Sequence, residues 1–317
     1  MAGSAKGFEP DQPAPVPTDA VGAPDVGLIA REVMRLRLRP GRIRYWNDGP
    51  GNDATHARST GCDGASSGVR ERAGIALQGR PILTHTTNVI FRCADLDRLH
   101  NKGRAYRYIF VGVEGTWATL VAINGRDQWR FSIIRNPKPE ALTESEIRSA
   151  IRRAVGRDFD FEILSIVPWT RRELVAERYH AGRVLLCGDA AHMMSPTGGF
   201  GMNTGIGDAV GLAWKLTALV EGWGDPSLAD AYTAERRPVA SRNVAEASGN
   251  LSRMLSPGEN QALLEFSPEG ERTRERVGRE MWQAMHREWH TIGIHLGYRY
   301  DDSPIIWPDG TPAPPQE

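Results

Sequence analysis

Arg183-Val-Leu-Leu-Cys187-Gly-Asp189-Ala-Ala-His192-Met-Met-Ser-Pro196-Thr-Gly-Gly199-Phe-Gly201-Met-Asn203 is the stretch whose reading decides the fold. Its apolar start, residues 183–187, predicts a short buried strand that ends in Gly188-Asp189. Glycines at 198, 199 and 201 then remove side chains, so that backbone amides can come close to a flat or anionic ligand. From about Asn203 or Thr204, the residues Ile206, Ala209, Ala213, Leu216 and Val220 recur at helical spacing, and Gly222 ends the pattern. Such a helix points the positive end of its dipole back at the loop. An aspartate at the tip of a buried strand can accept hydrogen bonds from ligand hydroxyls. Together these residues describe a site for a polyhydroxylated, partly anionic ligand. Tight packing alone accounts for one or two of the glycines and leaves the rest of the run unexplained.

On the amino-terminal side, residues 105–113, 117–124 and 128–134 are rich in β-branched and aromatic residues. Asn124-Gly125 between the last two is a hairpin signal, because both residue types tolerate positive φ. An antiparallel meander is expected, as one layer of a mixed sheet. Thr143 followed by Glu146 predicts a capping box ahead of Ile147, Ala150, Ile151 and Ala154, which share one helix face. On the carboxyl side, Asp225-Pro226 predicts a helix start, with Pro238 breaking or kinking that helix. More helix is expected over 271–289, and an extended tail from Asp301.

Composition narrows the function classes. The chain has 317 residues, with 39 Lys plus Arg, 39 Asp plus Glu and a formal net charge of zero. That balance gives no reason to expect nucleic acid or an anionic membrane as partner. Cys62, Cys93 and Cys187 have no metal-ligand spacing and read as reduced thiols, in keeping with a cytoplasmic protein. No apolar run reaches the roughly 20 residues that span a bilayer.

The central stretch resembles the single-component FAD-dependent aromatic hydroxylases. The match runs through Gly188-Asp-Ala-Ala-His192, Pro196, Gly199-Phe-Gly-Met-Asn203 and Asp208-Ala209, and on to Leu212-Ala-Trp-Lys-Leu216. Gly61-Cys-Asp63-Gly64-Ala-Ser-Ser67-Gly-Val-Arg70 resembles the same family's Asp-Gly motif. The segments Phe91-Arg-Cys-Ala-Asp95, Val167-Pro-Trp169 and Tyr232-Thr-Ala-Glu235-Arg236 also fit it.

The resemblance implies an α/β fold: a partial FAD-binding domain, an antiparallel middle β-sheet that holds substrate, and carboxyl-terminal helices. It implies that Asp189 binds the FAD ribitol. Gly188, Pro196, Gly199, Gly201, Met202 and Asn203 are then expected around the isoalloxazine, with Asp63, Gly64 and Arg70 near the pyrophosphate. It further implies NAD(P)H as co-substrate, an aromatic or polyketide substrate with O2, and a homodimer. No catalytic acid or base and no metal ligand is assigned. On this reading, 61–80 and 181–250 belong to the FAD domain, 81–180 to the middle sheet, and 251–317 to a helical segment with a proline-rich tail.

Residues 1–60 depart from the family pattern. The family opens on a βαβ unit with Gly-x-Gly-x-x-Gly, which seats a dinucleotide pyrophosphate. Here Gly49-Pro-Gly51-Asn-Asp-Ala54 fits that motif loosely, with no apolar helix pattern after it. The polar His56-Ala-Arg-Ser-Thr60 does not read as the buried strand expected before Gly61. A chain lacking the dinucleotide unit is therefore expected, and a catalytically idle flavoprotein remnant that binds or scaffolds is the alternative. Two other readings are weaker. Gly64-Ala-Ser66-Ser-Gly68 has hydrolase-elbow spacing without an apolar strand ahead of it. His286 and His290 lie four apart with no third metal ligand evident.

Overall fold

The computed structural model describes residues 58–100, 102–135, 142–255, 261–307 and 309–312. The Gly49–Ala54 motif and residues 1–57 lie outside the described residues. Two sheets form the frame. The larger holds β2 (Leu77–Arg92), β3 (Arg107–Gly112), β4 (Gly115–Ala122), β5 (Gln128–Arg135), β6 (Glu162–Ala176) and β9 (His192–Met193) in the order β3-β4-β5-β2-β6-β9. Every pairing in it is antiparallel, so the expected mixed sheet is corrected to an antiparallel one. The smaller sheet has the order β1-β8-β7, from β1 (Ser59–Gly61), β7 (His180–Ala181) and β8 (Val184–Leu186).

In the smaller sheet β1 runs parallel to β8, with Thr60 opposite Leu185 and Gly61 opposite Leu186. The polar stretch before Gly61 therefore does end in a strand. Backbone pairing is available to any residue, and Thr60 is buried there despite its hydroxyl. Gly61 is required by close approach, since a Cβ at that position would meet Val69 Cγ1 at 2.8 Å.

The meander appears where the β-branched residues placed it. Its hairpin is longer than a two-residue turn. Asn124 Oδ1 accepts from the backbone N–H groups of Arg126, Asp127 and Gln128 at 3.0, 3.1 and 3.1 Å, which closes a wider loop. One face of this sheet buries Val89, Phe91, Leu120, Trp129, Phe131 and Ile133 against Ile147, Ile151 and Ala154 of α2 (Glu144–Val155). The capping box is present: Thr143 Oγ1 accepts from Glu146 N at 3.3 Å, and Thr143 N donates to Glu146 Oε2 at 2.8 Å.

The other helices are α1 (Gly68–Arg72), α3 (Phe200–Glu221), α4 (Leu228–Leu255), α5 (Pro268–Trp289) and α6 (Ile292–Leu296). Helices α3 and α4 cover β8, burying Leu185 and Leu186 with Leu212, Leu216, Tyr232 and Val244. Pro238 lies inside α4 and does not break it. The lost N–H bond is outweighed by the core contacts of Tyr232 before that turn and of Val239, Ala240 and Val244 after it. Asp225 caps the approach to the helix, its Oδ1 accepting from Ser227 N at 2.9 Å. No described helix is long and apolar enough to cross a membrane.

Candidate flavin site

The site grows from the end of β8. After Leu186 the chain passes Cys187 and turns at Gly188, and Asp189 emerges exposed on the far side. The next residues return inward as β9, where Val175 faces His192 and Leu174 faces Met193 across the strand pair. The loop 194–199 then delivers the chain to α3. That helix starts at Phe200, earlier than Asn203 or Thr204, so Gly201, Met202 and Asn203 form its first turn. Gly199 makes the early start possible: it is the N-cap, at φ +69°, a backbone conformation that disfavours side chains. No side chain caps this end of the helix. A Cβ built on Gly199 would meet nothing within 4 Å, so the surface before the first helical amides is open.

Asp189, Pro196, Gly199, Met202 and Asn203 are exposed around this opening, and Asn203 Nδ2 donates back to Gly199 O at 2.9 Å. Behind them lies a buried charged network that the sequence reading did not assign. Asp208 Oδ2 contacts His192 Nε2 at 2.8 Å and accepts from Gly188 N at 3.2 Å, while Asp208 Oδ1 accepts from Arg236 Nε at 2.8 Å. Arg236 also donates to Thr204 O and to the Tyr300 hydroxyl, both at 3.1 Å. Burial acts to lower the Arg236 pKa, but Asp208 and Tyr300 outweigh it and hold it above its ordinary value. Tyr232, whose hydroxyl donates to Leu186 O at 2.8 Å, has its pKa raised by burial and by the neighbouring Asp208. The network ties α3, α4 and β9 to the Gly188-Asp189 turn. His192 thus belongs to the frame behind the turn. The available signal was an acidic residue, Asp208, on the core-facing side of a helix.

The Asp-Gly motif sits next to this frame. Asp63 Oδ2 accepts from Val69 N at 3.0 Å, its other oxygen accepts from Ser67 Oγ, and Ser67 Oγ accepts from Arg70 N at 2.9 Å, which caps α1. Asp63 itself is exposed, beside Gly64 at φ +82°. Arg70, expected near the pyrophosphate, turns inward. Its guanidinium is buried, with Nη1 donating to Ala190 O at 3.1 Å and to Ala65 O at 3.3 Å. Carbonyls satisfy that nitrogen inside the fold, so Arg70 braces the Asp-Gly turn against the residue after Asp189.

The FAD binding domain family model matches residues 46–247. The chain belongs to that family. Solved relatives agree with the fold. The rebeccamycin biosynthetic enzyme RebC with reduced flavin is 37% identical with a TM-score of 0.72, over 81% of this chain and 48% of that one. The flavin-dependent monooxygenase PieE, in complex with FAD and substrate, is 30% identical with a TM-score of 0.70, over 82% of this chain and 48% of that one. A Streptomyces halstedii protein to which polyketide hydroxylase activity is ascribed is 36% identical over 260 residues, 80% of this chain and 43% of its own. The chain thus spans about half the length of the relatives it matches.

The weaker readings gain nothing from the geometry. Ser66 is exposed, with no histidine hydrogen-bonded to it among the described residues. His286 and His290 stack with ring centroids 3.7 Å apart, and no metal-type cluster occurs among the described residues.

Proposed function

We propose that this chain holds the isoalloxazine and ribityl side of an FAD molecule, in an NAD(P)H-dependent monooxygenase acting on aromatic or polyketide substrates. The observation that carries the reading is the contrast around Gly188. Asp189, Pro196, Gly199, Met202 and Asn203 face outward around an uncapped helix start, while the residues behind them are locked by Asp208, His192 and Arg236.

The residues present fit the flavin. Asp189 offers carboxylate oxygens to ribityl hydroxyls. The side-chain-free surface at Gly199 lets a flat ring lie against the backbone, and the first amides of α3 place a positive dipole end at its electron-rich edge. Asp63 and Gly64 lie toward the pyrophosphate, with Arg70 bracing both turns. When bound, FAD carries electrons from NAD(P)H to O2 and so enables one oxygen atom to reach the substrate. The protein's part is placement and electrostatics, so no side chain is assigned as acid or base.

The test is to load the chain with FAD, supply NADH or NADPH, and follow oxygen uptake with a panel of phenols and naphthols. Oxygen uptake matched by hydroxylated product is expected. FAD uptake with no NAD(P)H oxidation under any substrate would reject the monooxygenase reading and leave a flavin-binding protein.

A further inference from the structure

Two cysteines lie side by side behind the flavin turns, and their thiol chemistry has no part in the flavin site. Strand β1 runs parallel to β8 with Gly61 opposite Leu186, and Cys187 N donates to Gly61 O at 3.0 Å. The next step along each strand sets Cys62 beside Cys187. Cys187 keeps extended backbone, at φ −146° and ψ 143°. A Cβ on Gly61 would meet Val69 of α1 and Leu186 Cδ2, so that pair of positions faces α1. Side chains alternate along a strand, so the two cysteines share the opposite face. There Cys187 Sγ reaches Gly205 O of α3 at 3.8 Å, and Cys62 packs against the same core. Both chains turn away directly afterwards, at Gly64 with φ +82° and at Gly188 with φ +63°.

Neighbouring strands lie about 4.8 Å apart. That falls inside the range of roughly 4.4–6.8 Å between Cα atoms that a disulfide bridges, so the pair can be joined without moving the backbone. Both cysteines are free thiols, and they differ in access. Cys187 is buried, while Cys62 is half-buried at the end of its strand and open to a small oxidant. The neighbouring Cys62 side chain, burial and the Asp208 carboxylate push the Cys187 thiol well above its ordinary pKa, so it stays protonated. Cysteine often fills a core as a small apolar residue. That accounts for Cys187, and for Cys93 in the separate core under α2. It does not account for a second thiol set beside Cys187 at the solvent edge of the strand pair.

We infer that Cys62 and Cys187 form a redox-active dithiol, a modification site at which a hydroperoxide closes a disulfide between the two flavin turns. The Cys62 thiolate attacks one peroxide oxygen, the O–O bond breaks and hydroxide leaves, which gives a sulfenic acid. The Cys187 sulfur then attacks the Cys62 sulfur, and its proton leaves with the sulfenic hydroxyl as water. The two thiols lose two electrons and the peroxide gains them. The bond joins the residue before Asp63 to the residue before Gly188, so the spacing of the Asp63-Gly64 and Gly188-Asp189 turns becomes covalently fixed. A thiol reductant reverses it by exchange. Nothing in this chemistry needs bound FAD, so it stands apart from the monooxygenase reading.

The test treats the reduced full chain with a modest excess of hydrogen peroxide, unfolds it with an alkylating agent present, and maps the cysteines by peptide mass. Of the three cysteines, Cys93 alone is expected to be alkylated. Cys62 and Cys187 should be recovered in one disulfide-linked peptide pair that dithiothreitol separates. Because the bond closes a loop of more than a hundred residues, the oxidised chain should melt roughly 5 °C or more above the reduced one. Cys62→Ser should show neither change. Cys187→Ser should leave Cys62 as a sulfenic acid that dimedone traps. Three alkylated cysteines after peroxide, a bond that involves Cys93 or a second chain, or an oxidised chain that melts no higher would each overturn the inference. The wild-type map is decisive even where a serine variant fails to fold.

Discussion

Asp208→Ala is expected to destabilise the chain by about 3–5 kcal/mol, the usual effect of removing one partner from a buried ion pair. Asp208 and Arg236 are both essentially inaccessible to solvent, and Asp208 also serves His192 Nε2 and Gly188 N. Without it, the Arg236 guanidinium keeps the Thr204 carbonyl and the Tyr300 hydroxyl as hydrogen-bond partners, and the Tyr298 ring beneath it, with no counter-charge. The Gly188 amide loses its side-chain acceptor. At roughly 2–4 °C per kcal/mol for a domain of this size, the midpoint of thermal unfolding should fall by about 10 °C. A change below about 2 °C would show that water replaces the carboxylate there, and the network would lose its role as the frame of the turn.

The second large effect concerns Lys215 and Glu235. Lys215 Nζ lies 2.6 Å from Glu235 Oε2, with both side chains almost wholly buried, and Ser303 Oγ donates to the other glutamate oxygen at 2.8 Å. Lys215→Met leaves Glu235 with a hydroxyl as its remaining partner and should cost about 3 kcal/mol. Replacing both, as Lys215→Met with Glu235→Leu, should recover most of that loss, because the desolvation penalty disappears with the charges. The pair borders a cavity of about 450 Å³ lined also by Trp214, Tyr298 and Tyr300. If solvent in that cavity reaches the pair, the single variant will cost little in chemical denaturation. The pair would then count as surface-like.

Much of this molecule was legible from local patterns. The capping box at Thr143 and Glu146, the meander strands and the β8 strand depend on neighbours in sequence, and they occur where the residues indicate. What depends on distant partners was not legible. β1 takes its strand form from β8, more than a hundred residues away, whatever its polar composition suggests. The start of α3 is set by the backbone of Gly199, so the apolar spacing that begins at Ile206 placed it too late. Pro238 reads as a break or a kink because propensity is local, while the packing that carries the helix past it is not. The motif residues of the site were readable as a resemblance, but the inward turn of Arg70 toward Ala190 required the fold. The same holds for Cys62 and Cys187, separate thiols until the register of β1 with β8 is known.

The most direct test of the flavin assignment is a titration of the full chain with FAD, followed by quenching of flavin fluorescence, beside Asp189→Ala. Asp189 is exposed, so its removal should leave the melting temperature nearly unchanged. Saturable FAD binding is expected, weakened roughly tenfold or more in Asp189→Ala by the loss of charge-assisted hydrogen bonds. A wild-type chain that binds FAD with the same affinity as Asp189→Ala, or one that binds none, would contradict it.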